Sequence, residues 1–393
     1  SIMRKTIKTL MMLAALTLLP AQTFAIKILH GPYLQSVGET EATIVWTTDS
    51  MSVAWVELLP NDGIEFYAQA RPRYYDTHIG IKRTDRIHAV TLKGLKPGTT
   101  YRYRIYAQEV LSHQANRVIY GNVAATVVYK KAPLAFTTLD ERKASTSFVV
   151  VNDIHGKSDV MARLLGNAGY KDKDLVFFNG DMLSILDKEE KIWNGFMDEA
   201  VKLFASEKPL YYVRGNHETR GQIADRFQRY VRPNDAKLYF AFRQGPVYFI
   251  CLDTGEDKPD TDIEYAGITD YDNYRTEQVE WLRQVIASDE YKRAPFHVVL
   301  GHIPPRYDKE AWHGDIEVRE KFIPVLNEAN VDLMLCGHLH EFAYTEPNAR
   351  LKFPILTNSN VAIVSVKAEG NKLDVKVIEE DGKTSFHKTY MQR

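Results

Sequence analysis

The sequence predicts an all-β sandwich followed by an α/β layered domain, and three observations predict it. Residues 26–139 break into short alternating or apolar segments rich in β-branched and aromatic residues, with turn signals between them. From residue 148 onward, apolar strand-like runs alternate with helix-period patterns. Between the two, DERKASTS at 140–147 is polar and charged and reads as a linker. A chain of 393 residues is long enough for two such cores.

Taken in order, the chain opens on an export pattern. Ser1 and Ile2 precede Met3 and read as a scar or an odd start. MRKTIK is then a basic segment, TLMMLAALTLL an apolar run of 11 residues, and PAQTFA a small-residue end. Residues 1–25 are expected to be a cleaved signal, with Ala25 the last residue lost. The run is short against the ~20 residues of a bilayer span, and no stop-transfer pattern follows. The expected product has no stable membrane anchor and resides in a periplasm or outside the cell.

In the sandwich, TEATIVWTT and SVAWVELL read as separate short strands. Asn61-Asp62-Gly63, Lys93-Gly94 and Pro97-Gly98 mark turns. After the last of these, Tyr101, Tyr103 and Ile105 alternate along a strand, which resembles the tyrosine-corner region of fibronectin type III sandwiches. Trp46 is expected to face the core. This domain carries no catalytic signal and is expected to pack beside the second domain, walling part of its cleft.

In the second domain FVVV, LVFF and PLYYV read as buried strands, with DVMARLLGNAG and KIWNGFMDEAVKLFAS as helices between them. The end of the chain, from NVAIVSV to FHKTY, returns to hairpin-like strands. Cys251 and Cys336 lie in apolar runs and are expected to be reduced core thiols. Hydrophobic residues make up 45% and charged residues 26%, which excludes disordered and disulfide-scaffold classes. Fifty Lys and Arg against 51 Asp and Glu leave no basic excess for a phosphate backbone, so no dedicated nucleic-acid binding is expected.

Five apolar runs of this domain end in similar polar groups. FVVVN leads into Asp153-Ile154-His155-Gly156, LVFFN into Gly180-Asp181, and PLYYVR into Gly215-Asn216-His217-Glu218. FHVVL leads into Gly301-His302, and DLMLC into Gly337-His338-Leu339-His340. Open α/β folds place their sites on the loops at one edge of the sheet, so these groups are expected to meet there. A glycine precedes the polar residue in four of the five, read as a device for a sharp backbone turn. Carboxylate, imidazole and amide oxygen without thiolate suit hard-to-borderline divalent metals. There are more such groups than one metal needs, and two ions sharing a carboxylate account for the excess.

This ordered set, D-x-H, G-D, G-N-H-E, G-H and G-H-x-H, resembles the calcineurin-like metallophosphoesterase family over residues 145 to 370. With a sandwich in front, the whole is similar to the purple acid phosphatase arrangement. The resemblance implies an αββα-type second domain over 148–393. It implies that Asp153, His155 and His340 hold one metal, Asn216, His302 and His338 a second, and that Asp181 bridges them. His217 binds no metal in the resemblance and acts as general acid or charge stabiliser. The implied enzyme is a phosphatase that hydrolyses monoesters of a small phosphorylated substrate by in-line attack of a metal-bound hydroxide. Phosphodiester hydrolysis at the same site is the alternative, and a non-catalytic binding or adhesion protein a third reading. Ser184 stands where the purple pattern has a metal-binding tyrosine, and His155 is similar to the non-purple members. Two divalent or mixed-valence ions of Mn, Fe or Zn in a colourless centre are therefore implied. The sequence leaves the oligomeric state open.

Arg214 is open between a phosphate contact and a structural ion pair. Glu218 is expected to orient His217 or a ligand. Residues 255–275 read as an acidic, tyrosine-rich loop over the site, with Tyr265, Tyr271 and Tyr274 as rim candidates. Residues 305–315 form a second rim with Arg306 and Trp312. His313 is open between a surface histidine and a substrate contact. His297 reads as a strand residue, and His30, His78, His88, His113 and His387 as ordinary.

Overall fold

The computed structural model describes residues 25–393, so the expected export signal lies outside the described residues but for Ala25. No described helix is long and apolar enough to cross a membrane.

The first domain is organised by one long strand. TEATIVWTT and SVAWVELL are not separate strands but belong to the single run Ala42–Pro60. Its first half lies between strands Ile28–Gln35 and Asp85–Leu92. Beyond a register break between Thr47 and Ser52, its second half lies between Arg73–Tyr75 and Thr100–Gln114. The polar Asp49-Ser50-Met51 segment interrupts the apolar pattern at this change of partners, which makes one strand look like two. Ile44, Trp46, Val56, Leu58, Tyr103 and Ile105 are buried in one core, as expected for Trp46. The Tyr101 hydroxyl accepts the backbone N–H of Lys96 at 2.8 Å, pinning the Gly94–Gly98 turn to the strand in a tyrosine-corner geometry.

The second domain is two six-stranded mixed sheets stacked face to face. In the first, Ser145–Val151, Leu175–Asn179 and Leu210–Val213 run parallel. The chain end, Ala362–Glu369, Lys372–Glu379 and Thr384–Met391, adds antiparallel strands to it. In the second, Val247–Cys251, Phe296–Leu300, Leu333–Cys336 and Ile355–Thr357 run parallel. Phe148, Val150 and Phe177 meet Phe249, Val298 and Leu335 between the sheets. The alternate residues Val149, Val151, Val176 and Phe178 pack outward under helix Ser158–Asn167 and the helical run 190–205. Ile250, Val299 and Met334 do the same under helix Tyr271–Ala287 and the run 313–326. Both faces of the parallel strands are buried, which is why their runs are apolar at nearly every position. Each such side chain contributes roughly 1.5–3 kcal/mol over its exposed state.

Two expectations need correction. The stretch 140–147 is only partly a connector, because Ser145–Ser147 already pair with Lys367–Glu369 in the sheet. Tyr271 and Tyr274 are not in a loop but in the first turn of helix Tyr271–Ala287. The sandwich docks on the helical side of the first sheet and puts no residue into the ligand groups described below. Its contacts there are specific: His30 stacks on Trp193 at 4.5 Å and hydrogen-bonds Asp198 at 2.8 Å, and the Tyr33 hydroxyl donates to the Tyr230 carbonyl. Cys251 and Cys336 are free and buried, and burial pushes both thiols up.

Candidate metal centre

The five polar groups that follow the strands converge, as their placement at strand ends requires. Asp153, His155 and His340 form one group of approaching ligand atoms, and Asp181, His302 and His338 another. In the first, Asp153 Oδ1 is 3.2 Å from His340 Nε2, which is 3.2 Å from His155 Nε2. In the second, Asp181 Oδ2 is 3.0 Å from His302 Nε2, and Asn216 Oδ1 is 3.0 Å from His338 Nδ1. Asp181 Oδ2 also lies 3.9 Å from His155 Nε2, and Asp153 Oδ1 3.7 Å from His302 Nε2, so both carboxylates stand between the groups. Asp153, Asp181, Asn216 and His302 form a buried floor, with His155, His217 and His338 half-buried and His340 exposed above it.

Two atoms of this floor make no aligned hydrogen bond. Asp153 Oδ1 and His302 Nε2 are buried, and their only close polar neighbours, His340 Nε2 at 3.2 Å and Asp181 Oδ2 at 3.0 Å, belong to the same two groups. A buried carboxylate oxygen and ring nitrogen facing one space cost free energy unless something fills it. A divalent cation satisfies both, and the mixture of oxygen and imidazole nitrogen fits Mn, Fe or Zn.

The glycines serve close approach more than turning. Of the four that precede a polar residue, only Gly180 has a positive φ, 86°. A Cβ on Gly180 would stand 2.4 Å from His302 Nδ1, on Gly215 2.2 Å from Asp181 Oδ1, and on Gly337 2.7 Å from Asp153 Oδ2. The loops thus nest against one another's ligands, and any side chain would push them apart. The turning is done by the ligands themselves. Asp153, His155, Asp181, His338 and His340 all have φ between 49° and 74°. Non-glycine residues adopt this region at a cost of order 1–3 kcal/mol, and such strain clusters at functional sites.

A second layer of groups holds the first in place. Glu218 does not touch His217; its carboxylate accepts the backbone N–H of Asp181, Leu183 and Gly215 and the hydroxyl of Tyr212. It therefore locks the Asp181 loop to the Asn216 loop. The Ser184 carbonyl accepts His217 Nδ1–H at 2.7 Å, and its hydroxyl bonds His155 Nδ1 at 3.0 Å. Both imidazoles are left with Nε2 toward the centre. His302 Nδ1 likewise donates to the Asn179 carbonyl at 2.7 Å. Asp257 Oδ2 accepts Asn216 Nδ2–H at 3.2 Å, which turns the amide oxygen of Asn216 toward His338. Sequence reasoning missed Asp257, although VYFIC ends in Asp253, Glu256 and Asp257 just as the other strands end in polar groups.

Burial opposes charge on His302, but Asp181 and Asp153 outweigh it and push the imidazole up to about 10. Burial also opposes the Asp181 carboxylate, and His302 holds it well below the usual range. His338, desolvated and beside a charged His302, is pushed down to about 4 and stays neutral at pH 7. The ion-free pocket therefore keeps a proton on His302 that an incoming cation must expel. Titrating zinc or manganese into stripped protein at pH 7, in buffers of different ionisation heat, is expected to show proton release. Affinity should rise by about tenfold per pH unit for each proton lost, up to the His302 pKa. Loading without proton release would remove His302 from the ligand set.

The rim residues resolve as follows. Arg214 is in an ion pair, not free for phosphate: its Nη2 is 2.8 Å from Asp253 Oδ2. Tyr274 donates to the same carboxylate at 2.7 Å. Tyr265 is buried, its hydroxyl 3.3 Å from Asp257. His313 is held by Asp272 at 2.8 Å, and Arg306 pairs with Asp308. Trp312 is exposed, its ring 6.3 Å from that of His338. His297 is a strand residue bonded to the carbonyls of Asn330 and Tyr291.

The model of the calcineurin-like phosphoesterase family matches residues 146–342, half of the chain. The model of the purple acid phosphatase N-terminal domain matches residues 30–118. Purple acid phosphatases 21 and 18 of Arabidopsis thaliana are each 24% identical to the chain over 80% of its length, and the match covers 66% and 65% of theirs. Probable purple acid phosphatase 20 of the same plant is 25% identical over 79% of the chain and 67% of its own length. The chain thus spans about two thirds of the curated relatives it matches.

Proposed function

The chain belongs to the calcineurin-like phosphoesterase family, and we propose that it is an exported dimetal phosphatase acting on phosphate monoesters. The observation that carries this reading is the convergence of two carboxylate–imidazole groups at five strand ends, with Asp153 Oδ1 and His302 Nε2 buried between them and in no aligned hydrogen bond. Asp153, His155 and His340 would hold one ion, Asn216, His302 and His338 the other, and Asp181 would reach both. Two bound divalent ions would supply Lewis-acid stabilisation of phosphoryl charge and a water of lowered pKa.

The chain's own residues do the rest. Asn216 presents its amide oxygen because Asp257 holds the amide nitrogen. Glu218 keeps the Asp181 and Asn216 loops in register through three backbone N–H groups. His217, anchored through Nδ1, keeps Nε2 at the mouth of the site, 3.9 Å from Asp181 Oδ2. From there it can pass a proton to the departing oxygen. Ser184 supplies no phenolate at the position where the purple pattern has tyrosine, and its hydroxyl positions His155 instead.

That same departure favours a second reading, hydrolysis of diesters at this site. Initial rates on para-nitrophenyl phosphate and on bis(para-nitrophenyl) phosphate decide between them. Stripped mature protein would be titrated with manganese, zinc and iron. Metal-dependent turnover with the monoester preferred is the expected result. A diester preference would select the second reading, and no turnover with any metal in folded protein would defeat both.

A further inference from the structure

A cavity of about 830 Å³ lies beside the metal centre, between the turn 219–225 and the segment 264–274. Three ties place it there. Arg214 and Thr219, both in its lining, bracket Asn216 and His217 in the chain. Ile185, also in the lining, follows Ser184, whose carbonyl holds His217. Glu264, on the opposite wall, has its carboxyl lowered by Lys258 first and then by Arg220 and His217, so it lies within electrostatic reach of that imidazole. Roughly 300–1,000 Å³ is the size of small-molecule sites.

The lining defines what fits. Both guanidiniums in the wall are already committed. Arg214 makes a two-point pair with Asp253, at 2.8 and 3.2 Å. Arg220 pairs with Glu256 at 2.8 Å and with Asp257 at 3.1 Å. Neither leaves an unbalanced cation for a second phosphate. Asp225, Glu264 and Asp270 add carboxylates, which accept hydrogen bonds and donate none; Glu264 is paired with Lys258, and Asp270 accepts from Asn273 through one oxygen. Thr219, Gln222 and Thr269 add neutral polar groups, and the rest of the surface is apolar or aromatic. Ile185 and Ile268 are 37% and 86% exposed, and Arg214 and Arg220 sit 5.5 and 6.0 Å over the rings of Tyr271 and Tyr265.

We propose that this cavity seats the alcohol portion of the phosphate ester. It selects a planar, uncharged group that brings N–H and O–H donors, of which a nucleoside is the type, and disfavours polyphosphorylated alcohols. The proposal rests on the phosphoesterase reading above.

The test compares adenosine monophosphate, glycerol 2-phosphate and inositol hexakisphosphate as substrates of the metal-loaded protein. The nucleotide is expected to lead glycerol phosphate in kcat/KM by about tenfold, the scale of one stacked base, with the hexakisphosphate last. Ala224→Trp, which fills the cavity, should raise KM for the nucleotide and leave glycerol phosphate unchanged. Ile268→Asp, at an exposed position, should do the same with little demand on folding. Equal kcat/KM for the first two substrates, a lead for the hexakisphosphate, or equal shifts on both substrates in the variants would overturn the proposal. Failure of the phosphoesterase reading is distinguishable, because none of the three would then turn over. Calorimetry with adenosine alone would still decide the cavity: binding lost in Ala224→Trp supports it, and no binding to the native protein overturns it.

Discussion

Asp181→Asn is expected to remove bound metal and activity together. Asp153 Oδ1 faces both ligand groups, 3.2 Å from His340 Nε2 and 3.7 Å from His302 Nε2, and the Asp181 carboxylate does so at 3.0 Å from His302 Nε2 and 3.9 Å from His155 Nε2. Its other oxygen accepts the backbone N–H of His217 at 2.9 Å, so it also seats the loop of the proposed acid. Asparagine preserves the shape and one acceptor but removes its charge from between the groups. Both ions should then be held more weakly, and kcat/KM should fall on the order of 10³-fold, about 4 kcal/mol of transition-state stabilisation. Folding should survive, because the substitution removes a buried charge and the loop stays tied through Glu218 to the N–H groups of residues 181 and 183. Metal content by mass spectrometry and rates on para-nitrophenyl phosphate check this. Full activity would sink the bridging role, and loss of activity with both ions retained would recast Asp181 as a group acting in the chemistry alone.

What was legible in the sequence follows from what repeats along a chain. Buried strands leave apolar runs, and a run that stops at a polar residue marks the sheet edge, so Asp153, Asp181, Asn216, His302 and His338 could be read as neighbours. The His-x-His spacing added His340. Pairings between residues far apart leave no such period. Nothing in Arg214 announces Asp253, and nothing in Asn216 announces Asp257, because each partner sits on a loop of the other sheet. Ser184 could be seen only as a missing tyrosine, although its carbonyl and hydroxyl hold two imidazoles. The service of the glycines is hidden for a related reason. Turning is a local property and close approach a tertiary one, and it is five of the seven candidate ligands, not three of the four glycines, that carry positive φ. Tyr271 was hidden by the acidic composition of its first helical turn, which resembled the loop before it.

His217→Ala separates two roles that geometry alone places together. His217 Nε2 is 3.9 Å from Asp181 Oδ2 and joins His155 and Asp181 in a third group of approaching ligand atoms. It is also the half-exposed imidazole at the mouth, its ring edge-on to His155 at 4.8 Å. If His217 is the proton donor, the alanine variant keeps its metal. Its kcat on alkyl phosphates then falls by about 10²–10⁴-fold, the usual contribution of a positioned acid. Para-nitrophenyl phosphate should lose far less, since its leaving group departs without a proton. A plot of log kcat against leaving-group pKa should therefore be steeper for the variant than for the native protein. Parallel plots would mean that His217 stabilises phosphoryl charge equally for all esters. Loss of an ion would make it a ligand, and the Ser184 carbonyl would then serve to aim its lone pair, not its proton.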